Sequence, residues 1–392
     1  MLSDVILPIT PSATVAIFNR AKEKGINQKV FNFAAGDPQI VCDAHIISCA
    51  EKEIDTGKCC YPPLRGIPLL RSLATEWMNT SYHANYCAEE CLVTPGGKMA
   101  LYLTLQALIR PDDEVLILSP YWVSYPEMIK LFGGKPVVVP CLEKNGWKVE
   151  LGKLSSAVTA KTKALLINNA CNPTGVLYTR EEISVIVDFA IKNKLCIISD
   201  EVYSEMVYAK GSFISFSSLS PCRDNLVVIQ SCSKNFGMTG WRVGFAFAPK
   251  KFIDALSLLA SQSITATSFA AQHAAIGALE NKESLSAHIC TLMKKRRDLF
   301  FLSLKNHFAK DFLLPPSSLY LFVSLKQLGI EGMDCTTFCE RLLEEGCVAA
   351  VPGIAFGCEG YVRFAFGESE EDIKQGVEAL AKACKEIGKK DG

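Results

Sequence analysis

The chain has 392 residues, 49% of them hydrophobic and 21% charged, and its 41 Lys and Arg balance 41 Asp and Glu. Such a composition suits a soluble globular enzyme with one large and one smaller domain, and the lack of a long basic block or a long apolar run argues against nucleic-acid and membrane partners. Seventeen cysteines, an odd number without small-domain spacing, point to reduced thiols rather than a disulfide framework. The opening MLSDVILPITPS carries Asp4 and two prolines without a basic n-region, so the expected location is the cytoplasm.

In chain order, His83, Cys87 and Cys91 stand four apart, but three donors without a fourth read as packing and surface residues, and no metal is expected. TPGGK (94–98) supplies a glycine turn opening onto a helix from Met99 to Ile109. Short β-branched runs follow: EVLILSP (114–120), AKTKALLINNA (160–170), LCIISDE (195–201), NLVVIQS (225–231) and VGFAFAP (243–249). Separated by helical patterns such as 179–193, they predict a mostly parallel sheet with crossover helices, an α/β fold. Several runs end on a polar residue and a turn, which is where an open α/β sheet collects ligands. The C-terminal third predicts a smaller α+β unit: a long helix over about 283–306, strands in SLYLFVSL and YVRFAFG around a helix near 336–345, and a final helix from about Ser369. The expected division is an arm with part of the small domain (1–40), a large domain (41–285) and a small domain (286–392).

SCSKNFGMTGWRVG (231–244) places Lys234 among hydroxyls and glycines at a strand end. Desolvation there lowers an amine's pKa and makes it a nucleophile and proton carrier, although a turn lysine facing solvent would have the same spacing. The neighbouring hydroxyls, Arg242 and the glycine turn before the 99–109 helix together suit a phosphate ester, without a Walker loop or a GxGxxG motif. Asp200 closes an apolar strand. Against a pyridine nitrogen it would keep that nitrogen protonated, and Tyr203 could reach the same ring; a helix N-cap is the equal alternative for the aspartate.

NPTG (172–175), SDEVY (199–203), SCSKNFGMTGWRVG and VRFAF (362–366), in this order, resemble the fold-type I aminotransferases that use pyridoxal 5'-phosphate. PSATVAI (11–17), GGKMAL (96–101) and PYWVSYPEM (120–128) are similar, more narrowly, to the bacterial aspartate aminotransferases with a GGK motif. The resemblance implies that Lys234 holds the cofactor aldehyde and moves the substrate proton, that Asp200 pairs with the ring nitrogen, and that Asn172 and Tyr203 bond the ring hydroxyl while Trp122 stacks on the ring. It assigns the phosphate to Ser231, Ser233, Arg242 and the Gly96–Gly97–Lys98 turn, joined by Tyr61 of a neighbouring subunit in a homodimer. It gives the substrate α-carboxylate to Arg363, with backbone of Gly36, Asn172 and Trp122 alongside. From the residues alone, Asn172 also fits a turn before proline, Trp122 a core anchor, and Lys98 an ordinary helix-start lysine.

The stretch ASQSITATS (260–268) holds no arginine for a side-chain carboxylate, so the resemblance points to Lys98 for that task, with Ser12 and Thr14. A cation facing the distal end favours dicarboxylates, hence ping-pong transfer of an amino group from aspartate to 2-oxoglutarate. Prephenate or broad-range aromatic and dicarboxylic substrates are the alternative; a β-lyase or a non-catalytic cofactor-binding regulator follows. Two departures bear on substrate preference: Ser317-Ser318-Leu319 stands where the family often has a Gly-Ala pair, and QIVCDAH (39–45) where it has an acidic-aromatic-acidic run.

Overall fold

The computed structural model describes residues 9–57, 60–209, 211 and 213–390; residues 1–8 of the opening stretch read above lie outside them. After a two-residue strand β1 (Phe31–Asn32), seven strands form the main sheet: β2 (Cys91–Thr94), β3 (Glu114–Ser119), β4 (Lys135–Pro140), β5 (Thr162–Asn168), β6 (Cys196–Asp200), β7 (Leu226–Ser231) and β8 (Gly244–Phe247). Their spatial order is β2-β8-β7-β6-β5-β3-β4, with β8 antiparallel to both neighbours and the other pairings parallel. This is the α/β architecture that the apolar runs predict.

The central strands are buried on both faces, and for that reason they read as near-continuous apolar runs. Because side chains alternate, Ile197 and Val228 pack into one layer with Phe245 and Phe247. Ile198, Val227 and Ile229 pack into the opposite layer with Leu101, Leu105 and Ile253. Each fully buried Ile or Val contributes about 1.5–3 kcal/mol relative to exposure. The helix Arg180–Lys192 starts where the sequence places it, because Thr179 and Glu182 form a reciprocal capping box.

The last third holds β9 (Tyr320–Ser324), β10 (Val348–Ala349), β11 (Val351–Pro352) and β12 (Tyr361–Ala365). They give an antiparallel sheet β11-β12-β9 and a short parallel pair β1-β10. Helices Lys282–His307, Cys335–Gly346 and Glu370–Lys390 pack there on a core that includes Phe300, Phe338, Phe364 and Leu380. Cysteines among the described residues are free thiols. No helix among them is long and apolar enough to cross a membrane.

One boundary shifts in a way that matters. The helix expected from Met99 runs instead over Gly97–Leu108, with Gly96 as its N-cap, so the glycines form the first turn itself. Its first N–H groups, those of Gly97 and Lys98, have no partner within the helix.

Candidate active site

β2, β3, β5, β6 and β7 end at the same edge of the sheet, and the antiparallel β8 begins there, so Arg242, just before Gly244, arrives beside the strand ends. A cavity of about 340 Å³ opens at this edge. Lys234, Asp200, Tyr203, Asn172, Trp122, Ser231, Ser233, Arg242, Gly97, Lys98, Gly36, Arg363 and Thr14 all line it.

Lys234 sits on the short helix Cys232–Asn235, where the Ser231 Oγ caps the turn by accepting from the Ser233 N–H at 3.1 Å. Its ammonium donates to the Gly36 carbonyl. Burial brings the Lys234 pKa down to about 8; Asp37 opposes the shift, while the positive charges of Arg242 and Arg363 add to it. A substantial fraction of this amine is therefore neutral just above neutral pH, which an exposed lysine cannot match. The adjacent Cys232 thiol is fully buried.

Asp200 is the last residue of β6 and is buried. No helix follows it, so its alternative reading as an N-cap falls away. Its Oδ2 accepts from the Tyr125 hydroxyl at 2.6 Å, while its buried Oδ1 has no partner. Burial raises its pKa to about 6, against the opposing effect of the Tyr125 hydrogen bond. An orphaned, desolvated carboxylate oxygen facing a cavity calls for a proton-bearing group from a ligand. Nearby, the Trp122 ring stands edge-to-face with Tyr125 at 5.5 Å, and the Lys98 ammonium lies 5.0 Å from the Trp122 ring centroid. Desolvation, then the charge of Arg242, lowers the Lys98 pKa.

At the glycine turn, Gly96 has φ 82° and a Cβ there would collide with the Arg242 guanidinium. A Cβ on Gly244 would strike the backbone of Gly96 and Gly97. Arg242 Nη1 donates to Ser233 Oγ at 3.2 Å and to the Thr239 carbonyl at 2.9 Å. Helix N–H groups, serine hydroxyls and a guanidinium thus converge on one end of the cavity, an arrangement suited to a phosphate dianion.

The opposite wall comes from the three-stranded sheet. Arg363, in β12, is 1% exposed. Its Nη1 donates to Asn172 Oδ1 at 3.0 Å and its Nη2 to the Ala34 carbonyl at 2.7 Å, while Nε is buried without a partner. The guanidinium lies over the rings of Tyr320 and Phe356, and no carboxylate pairs with it among the described residues. Asn172 is fixed in turn by its N–H, which donates to Asn168 Oδ1 at 2.7 Å. The Tyr203 and Tyr320 hydroxyls are 2.8 Å apart.

Three expected residues stand outside this cavity: Gly96, which as the N-cap lies behind Gly97 against the Arg242 guanidinium, Ser12 and Tyr61. Ser12, the N-cap of helix Ala13–Lys24, lines another cavity of about 510 Å³ together with Ala13, Ala16 and Ile17, and Thr14 alone of this helix lines the first. Tyr61 is 89% exposed and does not line the cavity of its own chain. Asn168, one of the polar strand ends, lines it as expected of such a position, and sequence reasoning missed Tyr125, Tyr320 and Thr239, which also line it. Tyr125 had a signal, its place three residues after Trp122 in the first turn of a helix; the others had none. The departure at Ser317-Ser318 is buried behind the wall, with the Ser317 hydroxyl donating to the Gly175 carbonyl, and does not reach the cavity.

The family model described as aminotransferase class I and II matches residues 28–380, and the chain belongs to this family. The chain is 36% identical to a probable aspartate/prephenate aminotransferase of Thermus aquaticus, over 97% of this chain and 99% of the relative. It is 35% identical to an aspartate aminotransferase of Geobacillus stearothermophilus, over 97% of this chain and 98% of the relative. Among solved structures, the aspartate aminotransferase of Thermus thermophilus with maleate is similar at a TM-score of 0.92 and 34% identity, over 98% of this chain and 99% of that one.

Proposed function

We propose that the chain uses pyridoxal 5'-phosphate to transfer the amino group of aspartate to 2-oxoglutarate, giving oxaloacetate and glutamate in two half-reactions. The observation that carries this reading is Arg363: a buried guanidinium without a counter-anion among the described residues, in the same cavity as a lysine whose pKa is about 8. A carboxylate ligand would supply the missing charge through a bidentate pair.

The residues fit the cofactor. Asp200 offers its unpartnered Oδ1 to a protonated ring nitrogen, and the Gly97 helix, Ser231, Ser233 and Arg242 offer a closed cradle to a phosphate. When bound, the cofactor supplies an aldehyde for amines and a cationic ring that draws electrons from the substrate α-carbon. Trp122, Asn172 and Tyr203, which line the cavity, would hold the ring, the indole by its face and the other two by hydrogen bonds. Lys234 Nζ would anchor the aldehyde as a nucleophile and, as a free amine, would be the base that takes the substrate α-proton and gives it back. Asp200 would keep a proton at the ring nitrogen. Arg363 orients the α-carboxylate, and Lys98, with Thr14, faces the distal carboxylate. Tyr61, exposed in its own chain, completes the phosphate cradle of a second subunit in a homodimer.

The test is the absorbance of the bound cofactor during half-reactions. Aspartate and glutamate convert it and tyrosine does so poorly; conversion by tyrosine with none by aspartate overturns the dicarboxylate reading. A second reading, prephenate as amino acceptor, is favoured by the name of the Thermus aquaticus relative. It predicts that prephenate discharges the aminated enzyme as readily as oxaloacetate.

A further inference from the structure

Far along the chain from the cavity-lining lysine, two helices of the main-sheet region face each other along a polar seam. The helix Ala44–Asp55 presents His45, Cys49 and Glu53 at four-residue intervals, hence on one face. The helix Phe269–Glu280 runs past it in the opposite direction: Glu280 meets His45 at 3.3 Å, Gly277 meets Cys49, and His273 approaches Glu53 at 3.8 Å. Gly277 is what lets the helices close, since a Cβ there would stand 2.8 Å from Cys49 Sγ and 3.3 Å from the His45 carbonyl oxygen.

We infer that His45, Cys49 and Glu280 form a binding site for one zinc-class divalent cation, with water as the fourth ligand. Bonds of about 2.3 Å to sulfur and about 2.0–2.1 Å to nitrogen and oxygen, meeting at the tetrahedral angle, separate S from N by about 3.6 Å and N from O by about 3.3 Å. Cys49 Sγ lies 3.6 Å from His45 Nε2, and Glu280 Oε2 lies 3.3 Å from the same nitrogen. All three donor atoms fall within 4.8 Å of one another, and the exposed Glu280 side chain is free to close the remaining S–O gap.

Hydrogen bonding alone serves this cluster poorly. An imidazole nitrogen carries either one N–H or one lone pair, so Nε2 can at best share one N–H between the carboxylate and a sulfur that accepts weakly. A cation in place of that shared proton would engage all three ligand atoms at full strength. One thiolate, one imidazole and one carboxylate form a borderline-soft set that favours zinc over magnesium or calcium. A bound ion would pin the Ala44–Asp55 helix, which leads toward Tyr61, to the Phe269–Glu280 helix. None of the three ligands lines the cavity described above, so the site is separate from the chemistry there.

The experiment is calorimetric titration of the cofactor-loaded enzyme with zinc chloride, paired with cobalt(II) as an absorbing probe. The expected result is one high-affinity zinc per chain and a cobalt–thiolate absorption in the wild type. Cys49→Ser should abolish that absorption, and Cys49→Ser, His45→Gln and Glu280→Gln should each weaken zinc binding, the first two by more than the roughly 10- to 100-fold that loss of an outer-shell partner costs. Zinc should raise the melting temperature of the wild type and leave that of Cys49→Ser unmoved, while conversion by aspartate stays the same in both. Equal zinc affinity and stoichiometry in the wild type, Cys49→Ser and His45→Gln would place the ion at other thiols, such as the exposed Cys60 or Cys87, and overturn the inference. So would the absence of a cobalt–thiolate signal in the wild type.

Discussion

In the seven-stranded sheet, Asn168, Asp200 and Ser231 are the last residues of their strands, positioned by hydrogen bonds among side chains and turns. In the three-stranded sheet, Arg363 lies in the middle strand, paired on one side with Phe322 and on the other with Val351, and Tyr320 starts the neighbouring strand. The first region therefore offers short polar groups where the ladder stops, and the second drives a long cation through an aromatic sleeve of Tyr320 and Phe356. The two also differ in sign. Asp200 is an anion that burial pushes toward neutrality, and Arg363 a cation without an anion among the described residues, so each waits for the opposite end of a ligand. Unmet charge in the free protein is the common device, placed on two different scaffolds.

Four measurements sharpen or break that comparison. The largest effect belongs to Lys234, at the end of the first scaffold: Lys234→Ala should lower kcat for oxaloacetate formation by at least about 10⁴-fold. Residual turnover within tenfold of the wild type would remove the lysine from the reaction. Next, Arg363→Lys keeps the charge of the second scaffold but loses its planar fork, and kcat/KM for aspartate should fall by about 2–4 kcal/mol, roughly 30- to 1,000-fold. An unchanged value would mean that the guanidinium is merely packed.

Smaller is Lys98→Met, at the rim between the two. It should cost aspartate about 1.5–3 kcal/mol, roughly 10- to 150-fold in kcat/KM, and spare tyrosine; equal losses for both would end the argument for a distal carboxylate. The smallest concerns stability. Because the Asp200 pKa is raised to about 6, the folded protein binds the proton more tightly than the unfolded chain, and stability is lost as pH rises from about 4 through 6. Asp200→Asn should therefore stabilise the cofactor-free protein above pH 6 by on the order of 2–3 kcal/mol, with the gain fading below about pH 4. Denaturant melts at pH 4 and pH 7.5 check this, and a variant less stable than the wild type at pH 7.5 contradicts it.

Much of the fold is legible in the sequence for a physical reason: strands buried on both faces must be apolar throughout, and the polar residue that ends each one marks the site edge. Lys234, Asp200, Asn172 and Arg242 stand out on that basis together with the motifs around them. The reversed direction of β8 is not legible, since a run such as VGFAFAP has the same burial whichever way it points. Tyr320 and Thr239 carry no local mark, because their value comes from partners such as Tyr203 and Asp37 that lie far away in the chain. Ser12 and Thr14 differ only in helical phase, which a two-residue spacing cannot settle without knowing which face turns inward. The same distance effect hides the His45, Cys49 and Glu280 cluster, whose third member lies 235 residues beyond the first.

Gly244 touches the peptide that joins Gly96 to Gly97 with no room for even a methyl group between them. Two segments almost 150 positions apart are thereby soldered main chain to main chain, and the anion nest is finished before anything occupies it. An enzyme stripped of its coenzyme should then retain a taste for simple oxyanions: sulfate or inorganic phosphate in the buffer would slow reloading competitively, and Gly244→Ala would forfeit that competition together with the reloading itself.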